Sequence, residues 1–369
     1  MGLSRRFLNL IVQSHAPTIR SLRCIDLKRL QLFYPTPPSP TNPAANTMET
    51  FGLPGPTPIF RACDSDADCQ WRVACYPLSQ RRVLCTDQCR RNLLYDASTH
   101  EVAAIPEFYR PRLDSLSLFV PASGEGEEGN KDEKDRQEGS EDEDQQRGGG
   151  GGSLFLMEKI LRPVTGDLEV LFYGNGRRTS HCKLLPPPPY IHEPSKIGSY
   201  AVVGNGAHVC ISVNGRGTYF LDTAGHTWNK AGDWTLPFHG KVEYVPELEL
   251  WFGLSANAQQ LIAADLSTTD SQPQPVYSWK LFQPLEEWIE HKDAQLVNLG
   301  SGRFCIARFF KHDFDFVEQD DSPRDCIVLT GLEVVPRVLN GKVKLEMFHH
   351  KSMRHTTLPI YGNSVDLVF

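Results

Sequence analysis

Two stretches of the chain repeat one pattern 126 residues apart: Val83-Leu84-Cys85-Thr86-Asp87 through Leu93-Leu94-Tyr95-Asp96 to His100, and Val209-Cys210-Ile211-Ser212-Val213 through Tyr219-Phe220-Leu221-Asp222 to His226. In each, an apolar strand runs into a polar turn, a second apolar strand stops at an Asp, and a turn leads to a third strand. A β-meander that recurs along one chain restricts the fold to all-β arrays built from one repeated unit. Asp222 is matched again by Asp265, 43 residues further on, in Leu261-Ile262-Ala263-Ala264-Asp265. Removing a 33-residue insert, described below, reduces the 126-residue gap to about 93, room for two units. A period of roughly 43–47 residues with four strands per unit is that of propeller blades and not of a sandwich. The expected fold is therefore all-β, one domain over residues 1–369, with about six blades. Strands from both chain ends, residues 19–25 and 365–369, are expected to close the last blade, because an open ring exposes two sheet edges.

Turn chemistry supports this reading. Asn-Gly dipeptides at Asn175, Asn205, Asn214 and Asn340 each lie between apolar runs, and Asn-Gly accepts the positive φ angles of tight hairpins. Only Leu285-Glu286-Glu287-Trp288-Ile289-Glu290 reads as helical. Two long segments lack core-forming residues. Residues 35–58 hold eight prolines among Thr, Ser and Asn, the composition of an extended connection. Residues 121–153 are rich in Glu, Asp, Gln and Gly and bury too little to offset a chain entropy of about 1–2 kcal/mol per residue, so they read as a disordered insert within one hairpin.

The charge is local. Between Glu125 and Arg147 stand eleven acids and four bases, which accounts for the whole formal charge of −7, while the rest of the chain balances at 34 acids and 34 bases. A balanced body has no broad basic face for nucleic acid, and no nucleic-acid-reading motif is present. No run of 18 apolar residues exists to span a membrane. The first carboxylate is Asp26, behind Arg5, Arg6, Arg20 and Arg23, as in an organelle transit peptide; the preferred reading is that Phe7-Leu8-Asn9-Leu10-Ile11-Val12 is simply a buried strand. Ten cysteines occur without a Cys-x-x-Cys pair, so they read as reduced thiols of an intracellular protein, cytoplasmic or nuclear, and not as a zinc site.

No motif yields a catalytic, cofactor or metal assignment. Asp64, Asp66 and Asp68 begin like a calcium loop, but Cys69 replaces the turn glycine and Cys75 the bidentate Glu. Gly204-Asn205-Gly206 opens like a dinucleotide fingerprint but reaches Val209 where the third glycine belongs. Glu346, His349, His350 and His355 cluster, yet adjacent histidines on a strand face opposite ways. Asp313, Asp315, Glu318, Asp320 and Asp321 read as a solvated rim loop. The repeated Asp96, Asp222 and Asp265 read as turn residues accepting from backbone N–H groups. Trp228, Trp234, Trp251 and Trp279 read as inter-blade packing, with Trp228 taking the place that Val102 holds in the earlier copy.

One resemblance covers most of the chain outside the inserts. Gly217-Thr218-Tyr219-Phe220-Leu221-Asp222 followed by Trp228, then Gly232-Asp233-Trp234-Thr235-Leu236-Pro237-Phe238 and Leu250-Trp251-Phe252-Gly253-Leu254, resemble a large family of proteins of unknown function expanded in grasses. Arg5-Arg6-Phe7-Leu8-Asn9-Leu10 and Arg23-Cys24-Ile25-Asp26-Leu27 resemble it too, which favours an N-terminal strand. The resemblance implies a kelch-like propeller and a plant origin, and it carries no activity and no site residues. Kelch blades have adjacent glycines where this chain has Gly215-Arg216-Gly217.

The reading is thus a monomeric, non-enzymatic module that binds a protein partner through propeller loops. A propeller enzyme acting on carbohydrate or peptide termini is the alternative. Two buried carboxylates within about 10 Å in a deep central pocket would mark the enzyme.

Overall fold

Strand faces alternate, and in this chain both faces of the central strands are apolar. Of β1 (Phe7–Gln13), Leu8, Leu10 and Val12 enter one core cluster and Ile11 another. The computed structural model describes residues 5–14, 16, 18–35, 48–62, 72–112, 114–122, 151–162, 168–174, 180–189, 193–268, 271–281, 288–312, 324–357 and 363–369.

After β1 come β2 (Ile19–Asp26), the one-turn helix α1 (Leu27–Leu30), β3 (Glu49–Thr50) and β4 (Ile59–Arg61). Then follow β5 (Val73–Pro77), β6 (Arg82–Asp87), β7 (Asn92–Asp96) and β8 (Glu101–Ile105). A third group is β9 (Ser115–Pro121), β10 (Gly152–Glu158), β11 (Ile160–Leu161), β12 (Leu168–Tyr173) and β13 (His181–Leu185). The fourth is β14 (Ser195–Val203), β15 (His208–Val213), β16 (Gly217–Asp222) and β17 (Trp228–Gly232), and the fifth is β18 (His239–Val245), β19 (Leu250–Leu254), β20 (Gln260–Ala264) and β21 (Pro275–Lys280). The last are β22 (Trp288–Gly300), β23 (Arg303–His312), β24 (Arg324–Leu339), β25 (Lys342–Thr356) and β26 (Ser364–Val368).

Among the described residues these strands pair as six antiparallel meanders of four. The first, ordered β26-β1-β2-β4, takes one strand from the far end of the chain; β5-β6-β7-β8, β9-β10-β12-β13, β14-β15-β16-β17, β18-β19-β20-β21 and β22-β23-β24-β25 follow. The neighbouring first strands β14 and β18 run parallel, at Ser199↔Gly240 to Ala201↔Val242. First strands also meet serially, β5 with β9, β9 with β14, β18 with β22 and β22 with β26, whereas fourth strands such as β8 and β21 are largely exposed. The first strands are therefore the inner ones. Each large apolar cluster is shared by two successive meanders. Leu84 and Leu94 meet Leu154 and Leu156, Phe155 meets Ile211, Cys210 meets Trp251, and Phe252 meets Phe304. Leu329 and Leu299 meet Leu10 and Val368, and Ile11 and Leu22 meet Val83 and Cys85. Radial, serially packed meanders of this kind are a β-propeller.

The repeat has a structural cause. Asp96, Asp222 and Asp265 each stand at or just past the end of a third strand and accept from the N–H two residues on, at Ser98, Ala224 and Ser267, over 2.9, 2.9 and 2.8 Å. His100 and His226 close the turns with φ of 60° and 56°. Asp26, read in the sequence only as the first carboxylate, holds the same place in the first meander and accepts from Lys28 N–H at 2.9 Å. Asn205, Asn214 and Asn340 lie in the expected hairpins, with Gly215 at φ 68° and Gly341 at 75°; Asn175 falls outside the described residues.

Some expectations need correction. Residues 288–290 open β22 and are not helical, because Trp288 seals a small cluster with Phe310, Cys326 and Val328; residues 282–287 fall outside the described set. The immediate partner of β26 is β1, at Leu10↔Val368, with β2 one strand further out. Val102 is 59% exposed on the outer strand β8, so it is no packing counterpart of Trp228. Trp228 itself is half-buried against the cluster between the third and fourth meanders, its indole N–H donating to Pro186 O at 2.8 Å. Within the proline-rich stretch, Glu49–Thr50 adds a parallel fifth strand to β25 and Phe51 is buried. Most of the acidic insert, residues 123–150, lies outside the described residues; its flanks meet at Pro121↔Gly152. No helix among the described residues is long and apolar enough to cross a membrane.

Candidate interaction surface

Near its start, on the side where β18 also begins, β22 departs from a regular ladder. Its pairing with β23 slips between Glu290 and Lys292 and again between Lys292 and Gln295. Bulges of this kind bend a strand and re-aim its side chains. Glu290, His291, Lys292, Asp293 and Ala294 thereby face His239 at the start of β18 and the β19–β20 turn from Leu254 to Ala258. They enclose a half-open recess of about 300 Å³. The turn is fixed by Ala258 N–H donating to Ser255 O at 2.8 Å, with Ala258 at φ 51°.

The recess has mixed charge, and its charges are held. Asp293 Oδ1 is 3.3 Å from His239 Nε2, and this hydrogen bond, helped by Lys196 and Lys159, keeps its carboxyl below the ordinary value despite partial burial. Glu290 is gripped by Arg308 through Nε at 3.1 Å and Nη2 at 2.8 Å. Lys292 Nζ lies 2.7 Å from Asp366 Oδ1, whose other oxygen is 3.1 Å from Arg20. Burial lowers the His291 pKa, so its ring is neutral near pH 7. Beside the recess, Gln295 acts as an extra peptide group: its amide donates to Asp366 O at 3.1 Å and accepts from Val368 N–H at 2.7 Å. Sixth and first meanders are thus tied together at the mouth.

The sequence candidates are not brought together. His349 bonds Lys280 O, His350 bonds Glu333 and receives Tyr34 N–H, His355 bonds Phe51 O, and Glu346 pairs with Arg337. No group of three or more metal-type side chains occurs among the described residues. Asp64, Asp66, Asp68 and the acids from Asp313 to Asp321 lie outside the described residues. Trp251 is buried between the fourth and fifth meanders, and Trp279 stacks on Tyr277 with centroids 5.2 Å apart. The recess residues carry no local signature, and the sequence reading missed them; the crowding of charge in Glu290-His291-Lys292-Asp293 is the one signal that points to them.

Fold and surface together define a β-propeller with a polar recess at the mouth of its inner strands. The family described as "Protein of unknown function (DUF1668)" matches residues 5–355, and the chain belongs to that family. No curated protein matches it in sequence. Among solved structures it is similar to a protein of unknown function from Bacteroides thetaiotaomicron, at 9% identity and a TM-score of 0.32, over 74% of this chain and 56% of that one. It is also similar to the Cps50 (Swd1) β-propeller domain of Myceliophteria thermophila, at 8% identity and a TM-score of 0.39, over 91% and 99% of the two chains. The WD40 domain of Toxoplasma gondii coronin is similar at 8% identity and a TM-score of 0.34, over 75% and 68%.

Proposed function

We propose that the protein is a non-enzymatic scaffold, a six-bladed propeller that holds a protein partner over the recess between its fifth and sixth meanders. The state of the recess acids carries this reading. A general acid needs a carboxyl kept protonated near neutral pH. Here Asp293 is driven the other way by His239, and Glu290 is engaged in an ion pair with Arg308. Asp293 remains 67% exposed at its side chain, an ionised acceptor suited to a basic side chain of a partner. Kelch-like blades, a plant source and a monomeric state belong to the same proposal. The eight cysteines of the described residues are all free thiols, which supports an intracellular setting.

The test is an affinity purification from native tissue with the wild-type chain, an Asp293→Lys/Ala256→Arg variant, and a Val276→Glu control on the outer strand β21. Proteins retained by wild type and control but lost from the recess variant are expected. Equal recovery by all three would remove the recess as the docking site. Turnover of a glycoside or aminopeptidase substrate that Asp293→Lys abolishes would replace the binding reading with the enzymatic one.

A further inference from the structure

Cys75 on β5 stands directly opposite Cys85 on β6 in the antiparallel register, and their sulfurs lie 3.1 Å apart. Opposed residues in such a ladder have Cα atoms about 4.5–5.5 Å apart. A disulfide spans about 4.4–6.8 Å, so no backbone movement is needed to join them. We propose that Cys75 and Cys85 form a reversible intrachain disulfide when the protein meets a peroxide.

The two thiols are unequal. Cys85 is 3% exposed, and burial, reinforced by the neighbouring Cys75, pushes its pKa well up. Cys75 is half-buried, the more exposed residue of the two, and is therefore assigned the first encounter with a small oxidant. Other cysteines are differently placed: Cys24 donates to Asn9 Oδ1 at 2.7 Å, Cys182 faces Pro106 O, and Cys89 lies in the β6–β7 turn beyond Asp87, which pairs with Val73.

The Cys75 thiolate attacks one peroxide oxygen; the O–O bond breaks, hydroxide leaves and takes a proton to become water, and Cys75 becomes a sulfenic acid. The Cys85 sulfur then attacks the Cys75 sulfur, the S–O bond breaks, and the departing hydroxide carries off the Cys85 proton as a second water. Two thiols and one peroxide give one disulfide and two waters, with two electrons passing to the peroxide. Thiol reductants reverse the step. Both sulfurs face Ile11, Leu22, Phe60, Leu367 and Phe369, so the bond would staple the inner edge of the second meander beside the meander that joins the two chain ends.

The sequence makes the test direct. Trypsin separates residues 62–72 with Cys63 and Cys69, residues 73–81 with Cys75, and residues 83–90 with Cys85 and Cys89. The full-length Cys89→Ser protein, reduced and desalted, is exposed to sub-millimolar hydrogen peroxide, quenched with N-ethylmaleimide, digested without reductant and analysed by mass spectrometry. Peptides 73–81 and 83–90 are expected joined, two hydrogens lighter than their sum, and separated by reductant. In a Cys85→Ser variant, dimedone labelling of Cys75 is expected to rise several-fold, because the sulfenic acid is no longer resolved. The proposal is overturned if Cys75 and Cys85 are both recovered alkylated, if Cys75 links only to Cys63 or Cys69, or if the Cys75–Cys85 product is no more abundant in native protein than in urea.

Discussion

Arg112 is 1% exposed and lies between the second and third meanders, with Nε and Nη2 on Glu169 Oε2 at 3.1 and 3.0 Å and Nη1 on Glu158 at 3.1 Å. Glu169 is fully buried and also receives Tyr109 N–H at 2.8 Å. Removing one member of a buried pair leaves an uncompensated charge, so Arg112→Met should cost about 3–5 kcal/mol in chemical denaturation. Arg112→Met/Glu169→Leu should recover much of that loss, and a double variant as unstable as the single one would refute the pairing. Asp96 supplies a pH signature. Burial works against its ionisation, but hydrogen bonds from Ser98 and Arg82 prevail and hold it at about 2, against an ordinary 3.8. Its stabilisation is therefore complete above the unfolded value and lost as pH falls through the folded one. Asp96→Asn should lower the thermal midpoint at pH 7, with the gap to wild type closing between about pH 4 and 2.

At the scale of elements, β26 is an inner strand that pairs with β1, takes the Gln295 side chain as a ladder mimic, and anchors Lys292. Deleting residues 365–369 strips that partner from β1 and uncovers an edge, so aggregation or poor soluble expression is expected; a truncated chain that melts like wild type would show β26 to be dispensable. The acidic insert is the opposite case. Pro121 and Gly152 are already paired and Ala122 N–H reaches Gly151 O at 2.8 Å, so replacing residues 123–150 with a Gly-Asn turn should leave the thermal midpoint nearly unchanged. The strands were legible because runs such as Leu154-Phe155-Leu156-Met157 are apolar on both faces, Leu154 and Leu156 packing toward one neighbour and Phe155 and Met157 toward the other. Asp26 was not grouped with the repeated Asp residues because α1, and not a hairpin, follows it. Residues 288–290 misled because a bulged strand of alternating Trp, Ile and Glu has no clean period of two. The recess was illegible for a deeper reason: His239, Asn257 and Asp293 converge only through the packing of two meanders, which no local pattern encodes.

Taken whole, five histidines among the described residues, His226, His291, His349, His350 and His355, have pKa values that burial drives below the ordinary 6.5. Unfolding restores normal basicity, so below about pH 6.5 the unfolded chain binds more protons and stability falls with falling pH. Denaturation midpoints should drop between pH 7 and 5, a range in which Asp96 and Asp293 remain ionised; a flat profile would contradict the burial of these rings. The parallel strap β3 has a consequence in time. Glu49 bonds Lys351 across 302 residues of sequence, and β1 pairs with β26 over a still longer interval. At about 5–20 residues per second, translation leaves the early strands waiting on the order of 15–60 s before their partners leave the ribosome. During that interval the nascent first meander presents two bare edges, so the middle meanders should mature first, and β1 and β3 should remain open to chaperones and proteases until β25 and β26 have emerged.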